Sequence, residues 1–101
     1  MTASPQPYDL TFRPAALRSL RKLDRQVAAR IKAATEALRD DPRPGGVKML
    51  TGAHGLLRIR VGDYRILYLV DDERRLVRIA DVGQRSIIAA QMTKRGPAAL
   101  A

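Results

Sequence analysis

The chain has 101 residues, 19 Lys and Arg against 10 Asp and Glu, a net charge of +9 and a pI of ≈ 11.1. That length makes one domain, long enough to bury a single core without staples. No cysteine is present, which excludes disulfides and thiolate metal sites, and a single histidine excludes a His-rich one, so no metal or cofactor is expected. The charge points to a polyanionic partner such as nucleic acid or an acidic protein.

No apolar run approaches the ~20 residues that a membrane span needs. The start, MTASPQPYDL, lacks the basic flank and apolar centre of a signal peptide, so the expected location is the cytoplasm. Residues 1–7 read as a flexible, proline-containing leader. Tyr8, Leu10 and Phe12 alternate with polar residues, the pattern of a first strand. Pro14 suits the first turn of a helix whose apolar positions are Leu17, Leu20 and Leu23. Asp24 is placed to cap a second helix, in which Val27, Ile31, Ala34 and Leu38 share one face and which Pro42 stops.

The loop RPGG, Arg43 to Gly46, leads into Val47 to Leu50, which approaches the sheet, and Thr51 to Gly55 forms another turn. Leu56 to Tyr68, LLRIRVGDYRILY, then reads as two strands joined by Gly62-Asp63, a hairpin signal with glycine where φ is positive. A two-residue turn sets Val61 opposite Tyr64, Arg60 opposite Arg65, Ile59 opposite Ile66 and Arg58 opposite Leu67. Leu57, Ile59, Val61, Tyr64, Ile66 and Tyr68 then share one face, and Arg58, Arg60 and Arg65 the other. Leu76 to Val82 makes a fourth strand, and Ser86 caps a short last helix through Met92, followed by a tail over 93–101. The order is β-α-α-β-β-β: an α+β domain over residues 8–92, its small, mostly antiparallel sheet carrying a helical hairpin on one face.

The candidate chemistry is cationic. Like charges opposed across a sheet are destabilising, and Arg58, Arg60 and Arg65 share a face with no interleaved acid. Presenting arginines to an anion explains that arrangement, while protecting an open sheet face is the plainer alternative. Guanidinium groups bind phosphate oxygens bidentately and stabilise charge developing in phosphoryl transfer, but arginine is no general base near neutral pH. Lys48 precedes the hairpin and can reach the same groove. Arg85 lies just past the fourth strand, and the face of Arg78 depends on the 71–75 turn. His54 alone titrates near neutrality, but sits in a Gly-flanked turn where an exposed histidine is the plainer reading. Asp81 reads as a solvated or ion-paired strand position.

The segment from Lys48-Met49-Leu50 through GLLRIRVGDYRILYLVDD to Asp81-Val82-Gly83-Gln84-Arg85 resembles the RelE/ParE superfamily of toxins from type II toxin–antitoxin systems. The resemblance covers about residues 8 to 88 and is most specific in R-I-R-V-G-D-Y-R-I-L-Y followed by V-G-x-R. It implies a small toxin neutralised by a cognate antitoxin and, on the RelE-like branch, a metal-independent endoribonuclease (mRNA interferase) that cleaves mRNA in the ribosome and inhibits translation. Carried over by motif, the catalytic positions are Arg58, Arg60, Arg65 and Arg85; Lys48, Arg78 and His54, placed by the strand reading alone, are the expected RNA-binding residues. RelE-type enzymes often carry lysines in the first hairpin strand, where this chain has arginines. Many also have a tyrosine soon after the final arginine, and Ser86 to Ala101 contains none. The alternatives left open are a ParE-like inhibitor of DNA gyrase and a catalytically weakened toxin fold that binds an antitoxin.

Overall fold

The computed structural model describes residues 7–50 and 55–84. The elements are β1 (Asp9–Phe12), α1 (Pro14–Arg21), α2 (Arg25–Ala37), β2 (Lys48–Met49), β3 (Leu57–Val61), β4 (Tyr64–Asp71) and β5 (Leu76–Gln84). They form one five-stranded sheet in the order β1-β5-β4-β3-β2. The α+β architecture is the expected one, with a fifth strand added: β2, two residues long, pairs antiparallel with β3 at the sheet edge. The partner of β1 is β5, and the pairing is parallel, with Phe12 opposite Ile79. The helices between β1 and the hairpin supply the crossover that a parallel pair needs. The expected last helix over Ser86 to Met92, the tail and most of the leader lie outside the described residues.

Local chemistry sets the helix ends. Pro14 occupies the first turn of α1, where a missing N–H costs nothing, and Arg18 and Arg21 lie in its last turn, where cations favour the dipole. The Asp24 carboxylate accepts the Gln26 N–H at 3.1 Å and caps α2. Ala16 and Leu20 of α1, with Ile31 of α2 and Leu38 just past its end, pack on Ile59, Ile66, Tyr68, Val77, Ile79 and Val82 of the sheet. Burying each large aliphatic side chain is worth about 1.5–3 kcal/mol.

The hairpin register is the one expected, from Leu57 opposite Tyr68 through Arg60 opposite Arg65 to Val61 opposite Tyr64. Gly62 has φ +60°, the left-handed conformation the tight turn requires. One sequence reading fails on β5. The register with β4 shifts between Leu67, opposite Asp81, and Tyr68, opposite Ile79, so Ala80 is an extra residue. This bulge lets Ile79 and Val82, three positions apart, both join the helix-side core, which unbroken alternation forbids. Asp81 is therefore not a solvated position, and among the described residues it forms no ion pair. It is 3% exposed, accepts the Ser19 hydroxyl of α1 at 2.7 Å and also accepts the Val82 N–H at 2.8 Å.

The far side of the sheet also departs from an open polar face. Leu56, Leu67 and Ala80 are buried there and form a second apolar cluster with Leu50 and Leu69. Parity puts them beside the arginines, because Leu56 precedes Arg58 by two residues and Leu67 follows Arg65 by two.

Polar contacts fasten the loop after α2. Arg43 forks onto Asp72 at 3.1 and 2.9 Å, the Tyr8 hydroxyl donates to Asp72 at 2.7 Å, and Arg39 Nε donates to the Tyr8 carbonyl at 2.8 Å. Those donors hold the Asp72 carboxyl below its ordinary range, Arg43 first and Tyr8 second. The Tyr68 ring is fully buried and its hydroxyl donates to the Pro42 carbonyl at 2.7 Å. Burial pushes the Tyr68 phenol up to about 12.

A raised phenol favours the protonated, folded form, so its contribution is whole below pH 10 and is lost as pH rises toward 12. Tyr68→Phe should cost about 1 kcal/mol in urea unfolding at pH 7 through the unmade bond to Pro42. The same variant should flatten the loss of stability between pH 10 and 12. An unaltered alkaline profile would show that Tyr68 titrates normally.

Candidate nucleic-acid interface

The arginine face is organised in two rows across the strands. Lys48 of β2 lies opposite Arg58 of β3, which lies opposite Leu67 of β4. One pleat nearer the turn, Arg60 lies opposite Arg65, which lies opposite Gly83 of β5. Strands roughly 4.8 Å apart and a rise of roughly 3.3 Å per residue place Lys48, Arg58, Arg60 and Arg65 within about 12 Å of one another at the backbone. Gly83 carries no side chain, so the sheet stays low beside Arg65.

The four cations differ in setting. Arg65 is 9% exposed, whereas Arg58 is half-buried and Arg60 and Lys48 are exposed. Among the described residues Lys48, Arg58 and Arg60 take part in no ion pair. Arg60 turns toward the hairpin tip, its Nε donating to the Gly62 carbonyl at 3.0 Å. Past Leu67 the first row ends at Asp81 of β5, whose carboxylate is buried and accepts the Ser19 hydroxyl and the Val82 N–H, so the four cations themselves offer charge and hydrogen-bond donors but no general base.

The other expected site residues separate from this patch. Arg78 lies opposite Leu69, on the arginine face, yet Leu69 is four residues along β4 from Arg65, roughly 13 Å away. Arg78 therefore stands at the margin of the patch, roughly 12 Å from Arg58 and farther from the other three cations. His54 and Arg85 lie outside the described residues. Among the described residues no group of His, Cys, Asp or Glu could hold a metal ion, and no helix is long and apolar enough to cross a membrane.

Sequence reasoning missed two groups near this end of the molecule. Ser19 and Asp81 meet only because the bulge and α1 bring them together, and no periodicity signals a bulge. Arg30, on α2, brings Nη2 to 3.3 Å from where a Cβ on Gly62 would lie. Residues 32 apart in sequence meet there through tertiary packing.

Comparison with known proteins places the chain in a family. Residues 10–89 match the family described as the ParE toxin of type II toxin–antitoxin system, parDE. Toxin RelE of Mycobacterium tuberculosis is 31% identical over 81 residues, which are 79% of this chain and 84% of that protein. The chain belongs to the RelE/ParE superfamily of toxins. Among solved structures, the toxin–antitoxin complex RelBE2 from M. tuberculosis superposes with a TM-score of 0.72 at 32% identity, covering 80% of this chain and 94% of that one. A mutant of E. coli toxin RelE in the free state gives a TM-score of 0.70 at 29% identity, covering 89% and 98%. In this member of the RelE/ParE superfamily, the hairpin and its basic residues fall inside the matched region.

The contrast between Arg65 and Arg60 is testable. Arg65→Ala should destabilise the fold by about 1–3 kcal/mol, because it strips a buried stem and its polar head from the sheet. Arg60→Ala, at an exposed position, should stay within about 0.5 kcal/mol of the parent. Urea unfolding of the two variants separates them. Equal losses would show that Arg65 bears no more structural weight than a surface arginine.

Proposed function

We propose that this chain is a toxin that cleaves mRNA in the ribosome, without a metal ion, and is held inactive by a cognate antitoxin. The observation that carries the reading is the four-cation patch on the hairpin face, in a chain similar to toxin RelE. A patch of that kind suits a polyanion and electrostatic catalysis. In RNA cleavage the 2′-hydroxyl attacks the adjacent phosphorus, the 5′-oxygen leaves, and a 2′,3′-cyclic phosphate and a 5′-hydroxyl remain. Guanidinium groups from Arg58, Arg60, Arg65 and Arg85 would neutralise the charge that builds on the phosphoryl oxygens. The proton of the 2′-hydroxyl passes to a base other than the four cations, since neither arginine nor lysine accepts it readily at neutral pH, and the leaving 5′-oxygen takes up a proton from water. Lys48, Arg78 and His54 would hold RNA away from the reacting phosphate.

Antitoxin binding is supported by surface as well as kinship. The similar M. tuberculosis protein was solved as a toxin–antitoxin complex. Here Met49 is 68% exposed at the sheet edge. A cleft of about 440 Å³ between the end of α2, the 44–46 loop and β3 is lined by Ala34, Leu38, Ile59 and Val61. Apolar side chains of an antitoxin fit such a surface, and acidic ones fit the net charge.

A second reading, inhibition of DNA gyrase, draws on the ParE description of the matched family and on the lack of a tyrosine after Arg85. Induced expression with transcript-end mapping separates the two. The RNA reading expects growth arrest with new transcript ends inside coding regions. Arg65→Ala and Arg85→Ala should relieve toxicity in folded protein, each lowering cleavage about 10²–10³-fold. Two fully toxic variants would refute the site assignment. Intact transcripts in filamentous cells with a DNA-damage response would favour gyrase.

A further inference from the structure

We infer that Arg30 of α2 and Arg60 of β3 form a two-guanidinium clamp for one RNA phosphate at the tip of the β3–β4 hairpin. The inference rests on the RNA reading above and adds a residue that the family motif does not include. Gly62 is where the two side chains converge. Arg60 reaches it along its own strand, Nε donating to the Gly62 carbonyl at 3.0 Å. Arg30 reaches it from the helical layer, with Nη2 3.3 Å and Cζ 4.0 Å from the position of a Cβ on that glycine. A glycine therefore serves twice at this position, supplying the φ of +60° and leaving room for a guanidinium against the turn.

Two like charges drawn to one turn repel unless an anion lies between them, and among the described residues neither is paired with a carboxylate. Arg30 and Arg60 are exposed and have no ion pair among the described residues. Asp63 occupies the next turn position and is exposed, yet forms no ion pair with either, so the tip keeps a local charge of one positive unit. Arg60 contributes only Nε to the backbone bond, which leaves its terminal nitrogens for a ligand, and a guanidinium fork matches phosphate oxygens bidentately. The clamp continues the cationic rows of the sheet face around the end of the hairpin toward α2. An RNA strand lying over Arg58 and Arg65 would thus have a backbone anchor beyond the reacting phosphate. Arg60 would hold this neighbouring phosphate while still adding its charge to the field at the reacting one.

Binding of a fluorescent single-stranded RNA oligonucleotide across a salt series tests the clamp. Each neutralised phosphate contributes about 0.7 to the slope of log affinity against log salt for single strands. Arg30→Gln should reduce that slope by about 0.7, as should Arg60→Gln, while Arg30→Lys should retain it. Because the two arginines share a phosphate, the double variant should also lose about 0.7 instead of about 1.4. A slope unchanged by Arg30→Gln would overturn the proposal. So would a lowered thermal midpoint with the slope intact, which would make Arg30 a structural prop, or a fully additive double variant. Absent RNA binding by the parent chain would defeat the RNA reading itself, whereas RNA binding with an unaffected Arg30→Gln variant defeats only the clamp.

Discussion

The structure turns on the register of the β3–β4 hairpin, in which Arg60 directly opposes Arg65. Two unit charges 4 Å apart repel by about 1 kcal/mol in water and about 4 kcal/mol at an effective dielectric of 20. What holds them opposed is the other side of the same strands. Ile59 and Ile66, directly paired, are packed under the helices, and Leu57 and Tyr68 are paired and buried beside them. A slip of one residue would send the arginines into the core and the aliphatic residues out, at a cost far above the repulsion. The buried face thus dictates where the charged face stands, and the left-handed Gly62 fixes the turn that joins them.

From that constraint the remaining elements take their places. Alpha-helices over the apolar face set α1 above β5 and α2 above β3. The latter position carries Arg30 to the hairpin tip. The bulge at Ala80 re-aims β5 so that Val82 returns to the core and Asp81 meets Ser19. The Arg43–Asp72 fork and the Tyr68–Pro42 bond secure the chain between α2 and β2. That chain places Lys48 opposite Arg58. The cationic patch is consequently assembled from three strands whose relative positions are held by packing elsewhere.

Much of this was legible in the residues. The Gly-Asp pair between two β-rich runs sufficed for the hairpin register, and Asp24 and Pro14 marked helix starts that the structure retains within a residue. Alternation told which side Arg58, Arg60 and Arg65 occupy. It could not reveal an inserted residue in β5, and Asp81 was misread because its partner, Ser19, lies 62 positions away. The second apolar cluster of Leu56, Leu67 and Ala80 was hidden for a related reason. Arginine and leucine alternate with each other along that face, and a strict division into polar and apolar sides misses the mixture. The pairing of β1 with β5 depends on the crossover through two helices, which no local pattern encodes. Family membership was legible in the hairpin and V-G-x-R signatures, whereas the site role of Arg85 rests on motif alone and that of His54 on its position in the chain.

The central claim is that the hairpin face acts on RNA within the ribosome. It is tested most directly by adding the purified chain to ribosomes programmed with a defined mRNA, with free mRNA and a DNA gyrase supercoiling assay run alongside. The account predicts cleavage of ribosome-bound mRNA leaving a 2′,3′-cyclic phosphate, no cleavage of the free mRNA, and unaltered supercoiling. Intact mRNA on the ribosome together with inhibited supercoiling would contradict it.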